Sequence, residues 1–213
     1  MNGDETWLAA LATVAVLAFY ELAVFVAQRR APERLARTAH ATLRAEWFVA
    51  VSAERGTEIL AVQTLRNSLM SATMTASTAV LGLMGTATLA APSLHASFAE
   101  TASPATHLTV RLALELVLMA LLFASFVSSA MAVRYYNHVS FISAMPVGSD
   151  TRARWAGAGL NYVRRAGLLY SWGLRQLVLV APVLASILHP YAGPLTALVV
   201  VVVLIGFDRL GKS

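Results

Sequence analysis

The longest uncharged stretch of the chain, residues 67–99, contains no Asp, Glu, Lys or Arg. The hydrocarbon core of a bilayer is crossed by a helix of about 20 apolar residues, so this stretch is long enough to span one. Further apolar runs recur along the 213 residues, and only 13% of the residues are charged. That share is about half of what soluble domains carry. The pattern predicts an all-α polytopic membrane protein with four or five transmembrane helices in one integral membrane domain.

Charged and turn-forming residues set the limits of the expected spans. The last uncharged region is interrupted by HPYAGP, residues 189–194, with two prolines and one glycine. This region is either one kinked helix or a tight hairpin of two short spans. The basic tail that follows favours the hairpin, because basic segments prefer the cytoplasmic side. The predicted spans are about residues 7–28, 68–91, 108–133, 170–188 and 191–207.

Arginine is distributed unevenly between the connecting segments. Residues 29–66 contain seven arginines and residues 134–175 contain six, whereas residues 1–6, 92–110 and 189–194 contain none. By the positive-inside rule, we expect the N-terminus outside, the C-terminus inside and a location in the bacterial inner membrane. The leading segment is acidic and shows no signal-peptide cleavage site, so the first apolar run is expected to be retained as a span.

The segment after the first span, residues 31–54, has helical periodicity. On a helix, Arg30, Arg34, Arg37 and Arg44 fall within one narrow sector. This indicates an amphipathic interfacial helix whose arginines contact anionic lipid headgroups. The alternative is a solvated helix in a cytoplasmic loop. Because arginines lie beside apolar runs, the net charge of +5 points to a membrane surface rather than to nucleic acid.

One face of the second span consists of small and hydroxylated residues, spaced by three or four positions. In lipid, small residues let helix backbones approach, and hydroxyls bond across helices or back to their own carbonyls. We therefore expect this face inside a helix bundle, and the alternative is a polar path for an ion or small solute. Serines of the third span are expected to face the same seam. The residues are Asn67, Ser71, Thr75, Thr78, Gly82 and Gly85 on the second span and Ser125, Ser128 and Ser129 on the third.

Glu21 is the charged residue of the first span, eight residues before Arg29, or about 12 Å along a helix. An unpaired acid at such depth costs about 2.5–3.5 kcal/mol. We expect Glu21 to pair with Arg66 first, with Arg134 or Arg175 as alternatives. The candidates for a structural polar network are Glu21, Arg66, Asn67, Ser68, Ser71, Thr75, Thr78, Arg134, Asn137 and Arg175.

A block of sequence around Arg66 carries a family resemblance. The block AVQTLRNS, residues 61–68, occurs together with Tyr20, an Arg44-x-x-Trp47 pair, an Arg134-x-x-Asn137 pair and Arg175. With these residues, the chain resembles the domain-of-unknown-function 599 family of membrane proteins over nearly its whole length. The resemblance implies a multi-span helical membrane protein and no established activity.

Motifs of catalysis and of cofactor binding are missing from the sequence. There is no nucleophile elbow, phosphate-binding loop or dinucleotide fingerprint, and the chain has no cysteine. The spacing of His95, His107 and His189 does not support a metal site. We therefore expect a protein without enzyme activity or cofactor. Two functions stay open: a scaffold or accessory subunit that binds other membrane proteins, and an oligomeric channel or small-solute transporter that uses the Asn67–Thr78 face.

Overall fold

The computed structural model describes residues 3–31, 35–98 and 109–208, and every regular element in these ranges is a helix. Several of the helices are joined by short turns. Their bounds are α1 Gly3–Arg30, α2 Ala36–Ala53, α3 Glu58–Phe98, α4 Val110–Ala144, α5 Asp150–Val178, α6 Val180–Leu188 and α7 Ala192–Asp208.

Within the described ranges, four helical segments are long and apolar enough to cross a membrane: α1, α3, α4, and α5 continued by α6. Helix α7 is also apolar but has 17 residues, which gives it a length of about 25 Å. The chain therefore has the all-α polytopic membrane fold that its apolar runs predict.

Local sequence signals account for several helix ends. Helix α1 begins with Asp4 and Glu5 and ends with Arg29 and Arg30. Acidic residues at the first turn and basic residues at the last turn interact favourably with the helix macrodipole. Helix α5 begins after Ser149, whose hydroxyl accepts a hydrogen bond from a backbone N–H of the first turn. The turns before α3 and α5 each contain a glycine with positive φ, where a side chain would be strained.

The arrangement of neighbours defines two ends of the bundle. At the basic end, the turn between α2 and α3 lies close to the turn between α4 and α5, and Glu58 of α3 accepts a hydrogen bond from the backbone N–H of Val147. At the opposite end, Tyr191 in the turn between α6 and α7 donates to Glu5 at the start of α1. Helices α6 and α7 pack against each other, so residues 176–207 form a hairpin rather than one kinked helix.

The buried apolar residues in the part of the chain that the structure describes form two separate cores. The membrane core joins α1, α4, α6 and α7 around Leu17, Leu118 and Val183. The basic-end core joins α2, α3, α4 and α5 around Phe48, Tyr136 and Val163. Helix α4 contributes buried residues to both cores, and each of the other helices contributes buried residues to one core.

Two helices are longer than predicted. Helix α3 continues through Pro92 to Phe98, beyond the predicted span of residues 68–91. Helix α4 continues to Ala144, beyond the predicted span of residues 108–133. In the extension of α4, Tyr136, Val139 and Ile142 are buried at steps of three, and this periodicity marks a helix face despite the polar residues between them.

The segment interpreted as an interfacial helix is shorter than the predicted residues 31–54 and packs against α5. Arg37, Arg44 and Phe48 of α2 contact Trp172, Gly167 and Gly159 of α5 respectively, so the two helices run antiparallel. The expected basic face does not form: Arg30 is exposed at the end of α1, and Arg37 is buried. Helices α1 and α2 are separate, so Arg30 and Arg37 do not lie on one continuous helix. The predicted sector, which assumed one continuous helix, is therefore absent. Arg34 lies outside the described residues.

Candidate functional site

A network of ionised and polar side chains lies among α1, α5 and α7. Arg175 of α5 forms an ion pair with Asp208 at the end of α7, and their side chains are 9% and 16% exposed. The other carboxylate oxygen of Asp208 accepts a hydrogen bond of 2.7 Å from the hydroxyl of Tyr20. The Arg175 guanidinium also lies 5.6 Å from the centre of the Tyr20 ring. Arg175, Asp208 and Tyr20 form what we call the Arg175 network, which joins α5, α7 and α1.

Two further polar pairs lie beside this network. Glu21 accepts a hydrogen bond of 3.1 Å from the side-chain amide of Gln176. The Arg37 guanidinium donates to Gln28 over 2.8 Å and lies 5.4 Å from the centre of the Trp172 ring. Burial lowers the pKa of the Arg37 guanidinium below its usual value, and the neighbouring positive charge of Arg175 acts in the same direction. α2 is thus joined to α1 and α5 near the Arg175 network.

The partner of Glu21 differs from the one expected. Arg66 is exposed on α3, and α3 packs mainly against α4 rather than against α1. The cations that act on the Glu21 carboxylate are Arg175 and Arg37. The prediction that Glu21 pairs with Arg66 is therefore wrong. It rested only on the depth of the two residues along their helices, and α1 and α3 are not neighbours.

The chemistry of the network suits a closed structural site. Ionisable groups inside a membrane are costly unless they are paired, and an arginine can satisfy a carboxylate with more than one N–H donor. Two acids, Glu21 and Asp208, lie close to two arginines, Arg37 and Arg175, so their formal charges balance. Asp208 and Gln176 were not among the predicted site residues. They could have been found, because Arg175 and Asp208 flank residues 176–207 and a hairpin brings its two ends together.

Another buried arginine, Arg152, lies at the basic end. Arg152 donates to the carbonyls of Ser143 and Met145 at the end of α4, over 3.2 and 2.5 Å. It also donates to the carbonyl of Val51 near the end of α2, over 3.3 Å. Helix ends have carbonyls without an intrahelical partner, and a cation at this position satisfies them. Arg152 therefore joins three helices without a carboxylate. No spacing in the sequence singled it out among the arginines around it.

Two of the three hydroxyls on the predicted face of α3 lie outside the interior of the bundle. Ser71 and Thr78 are exposed, and their hydroxyls donate to the carbonyls of Asn67 and Met74, each four residues earlier. Thr75 is buried and bonds in the same way to Ser71. The buried residues of α3 are mostly alanines, and α3 packs mainly against α4. These buried residues are Ala61, Leu65, Ala72, Thr75, Ala79, Thr86 and Ala90.

The serines of α4 also have another neighbour than expected. Ser125 and Ser129 are fully buried, and the Ser125 hydroxyl donates to the carbonyl of Gly173 on α5 over 2.7 Å. A Cβ at Gly173 would collide with the Ser129 hydroxyl. These serines therefore permit close packing of α4 on α5 and do not extend the hydroxylated face of α3.

The remaining candidates lie apart from the Arg175 network. Arg134 and Asn137 are exposed on α4, and Ser68 lies on α3 facing the side chain of Tyr136. Among the described residues, no group of three or more His, Cys, Asp or Glu is arranged to hold a metal ion. His107 lies outside the described residues.

The comparisons with known proteins give a family but no activity. No curated protein matches the chain, and no solved structure does. The family model described as "Protein of unknown function, DUF599" matches residues 8–213, which is nearly the whole chain. The chain, a membrane protein of unassigned activity, belongs to the DUF599 family.

Proposed function

We propose that this protein is an integral membrane scaffold or accessory subunit that binds a helix of another membrane protein through the exposed flank of α3. The flank is defined by Asn67, Ser71, Thr78 and Gly85, which are all exposed. Of the four candidate spans, the one in α3 has the smallest buried share, 22% against 44% for the span in α5 and α6. The exposed flank of α3 is the observation that carries the proposal.

The chemistry of this flank favours a helix as its partner. Its hydroxyls are already bonded to the carbonyls of their own helix. They therefore need no partner, and their small size lets another backbone approach closely. Gly85 adds a position where a Cβ would meet no atom within 4 Å. A partner helix would gain close van der Waals contact here, which is the main source of helix association in lipid.

The proposal also includes a structural role for the Arg175 network and an orientation in the membrane. The described polar side chains of the Arg175 network are bonded to one another, which supports a structural role rather than enzyme activity. The uneven distribution of arginine supports the bacterial inner membrane, with the N-terminus outside and the basic end of the bundle facing the cytoplasm. No cofactor and no nucleic-acid partner belong to this proposal.

The absence of cysteine from the sequence makes a direct test possible, because each introduced cysteine is unique. Ser71→Cys and Thr78→Cys chains, labelled with a photoactivatable maleimide in native membranes, are expected to crosslink a second, different polypeptide. Thr73→Cys is the matched control, since Thr73 is also exposed and bonded to its own helix but lies on another side of it. Ser71→Leu should remove the partner during purification in mild detergent, whereas Thr73→Leu should retain it.

Other outcomes separate the alternatives. Crosslinks exclusively to a second copy, with Ser71 and Thr78 accessible to a water-soluble thiol reagent, would favour the oligomeric channel. Equal crosslinking from Thr73 and Ser71 would contradict a specific contact on the flank.

A further inference from the structure

A groove of about 340 Å³ lies between α2 and α3 at the basic end. Arg44 and Trp47 of α2 line one side, Thr64 and Ser68 of α3 line the other, and Tyr136 of α4 lies at its base. This volume falls within the range of small-molecule sites, about 300–1,000 Å³. The groove is separate from the exposed flank of α3 and from the Arg175 network.

Arg44 differs from the buried arginines of the chain in having no acceptor. Arg37, Arg152 and Arg175 each donate to a side chain or a carbonyl, whereas Arg44 makes no hydrogen bond or ion pair within the described ranges. Its guanidinium lies against Gly167 of α5, where a Cβ would collide with it. Arg44 is therefore half-buried and packed on α5, with its N–H donors unused.

The surroundings of Arg44 complement an anion attached to an apolar group. Trp47 and the Ser68–Tyr136 pair are the other polar side chains of the groove, and Leu43 and Leu65 supply apolar walls. Arginine binds phosphate oxygens through paired N–H donors. Tryptophan is enriched where apolar and aqueous regions of a membrane meet. This combination is suited to a phosphate group that carries hydrocarbon.

The position of the groove along α3 indicates the source of such a ligand. Ser68 lines the groove, and Thr75, two turns further along the same side of α3, belongs to the uncharged stretch. Arg134 lies two residues before Tyr136 on α4, so the groove lies where charged side chains give way to the apolar spans. We propose that the groove binds one anionic phospholipid, with its phosphate at Arg44 and an acyl chain beside Leu43 and Leu65.

The test uses the full chain purified in mild detergent, with phosphatidylglycerol as the probe and native mass spectrometry as the readout. Wild-type chain should retain one phosphatidylglycerol, and Arg44→Gln should bind it about tenfold more weakly, since a charge-assisted contact contributes at least that factor. Thr64→Phe keeps Arg44 but fills the groove from an exposed helix position, so it should also weaken binding. Arg134→Gln is the matched control, because it removes an exposed arginine outside the groove and should bind like wild type.

Three results would overturn the proposal. Unchanged binding by both Arg44→Gln and Thr64→Phe would mean that the lipid does not occupy the groove. An equal loss in Arg134→Gln would indicate general attraction to a basic surface. Displacement of phosphatidylglycerol by equimolar inorganic phosphate would assign the site to a free anion. Gel filtration and helical circular dichroism of each variant identify any chain that has not folded.

Discussion

The two halves of the bundle satisfy a buried arginine in different ways. In the half that contains the membrane core, Arg175 pairs with the carboxylate of Asp208 from another helix. In the half that contains the basic-end core, Arg152 has no carboxylate and donates to backbone carbonyls of Ser143, Met145 and Val51. The same side chain thus forms an ion pair in one half and binds helix ends in the other.

Helix-end carbonyls account for the contacts of Arg152. The last four carbonyls of a helix have no intrahelical partner, and α2 and α4 both end near Arg152. Arg175 lies in the last turn of α5, beside the end of α7, and there the acceptor is the carboxylate of Asp208. The comparison teaches that a buried arginine can be satisfied either by one carboxylate from a neighbouring helix or by several carbonyls of helix ends.

The largest effect is expected from Asp208→Asn. This change leaves the Arg175 cation buried without its anion, and breaking one partner of a buried pair costs about 3–5 kcal/mol. Thermal unfolding of the purified chain in detergent should show a correspondingly large decrease in Tm. Arg175→Leu combined with Asp208→Leu should recover much of that loss, because two apolar side chains leave no buried charge without a partner. A double variant as unstable as Asp208→Asn would show that the pairing is not the source of the effect.

Removal of the second buried arginine should cost somewhat less. Arg152→Gln cannot reach carbonyls of both α2 and α4, and hydrogen bonds to a charged group contribute about 1.5–3 kcal/mol. We expect a loss of about 3 kcal/mol in the free energy of unfolding, because water can reach the freed carbonyls at the basic end. Arg154→Gln, two residues away and exposed, should change stability by less than about 0.5 kcal/mol. Similar losses in both variants would contradict the role given to Arg152.

A methyl group at the contact between the halves should have a moderate effect. In Gly173→Ala, the added Cβ meets the Ser129 side chain and lies 3.1 Å from the carbonyl oxygen of Ser125. Overpacking of this kind costs about 1–3 kcal/mol. Gly157→Ala is the control on the same helix, since a Cβ there meets no atom within 4 Å. It should instead stabilise α5 by about 0.5–1 kcal/mol. Chemical denaturation that ranks the two variants in the reverse order would contradict this packing.

The smallest effect concerns the partner of Glu21. A double-mutant cycle of Glu21→Gln and Gln176→Leu should give a coupling of about 1 kcal/mol, the usual contribution of one hydrogen bond. The same cycle with Arg66→Gln in place of Gln176→Leu should give a coupling near zero, because Arg66 is exposed on α3. A clear coupling between Glu21 and Arg66 would require α1 and α3 to be neighbours and would break the proposed division between the halves.

Much of the fold follows from hydrophobic length alone. The runs that give α1, α3 and α4 are long enough to span a bilayer and have no competing interpretation. The extension of α4 was missed because its buried residues, Tyr136, Val139 and Ile142, are separated by polar ones. Periodicity identifies such a helix, whereas a search for apolar runs does not.

The site was harder to predict because it depends on which helices are neighbours. Depth along a helix can be counted from the sequence, and it predicts that Glu21 needs a polar partner; in the structure this partner is Gln176. Depth does not determine whether α3 or α5 lies beside α1, so Arg66 was chosen in place of Gln176. The exposure of Ser71 and Thr78 could not be predicted for the same reason. Their spacing defines a face of the helix but not its neighbour.

The length of chain between Arg175 and Asp208 has a consequence for synthesis. Their separation is 33 residues, so at the usual 5–20 residues per second Asp208 is made about 2–7 seconds after Arg175. During this interval, Arg175 lacks its final counter-ion. Glu21 belongs to the first helix and lies close enough to act on Arg175, so it is the carboxylate already present when α5 arrives. Glu21 is therefore placed to serve as a temporary counter-ion during assembly, until the last helix closes the bundle.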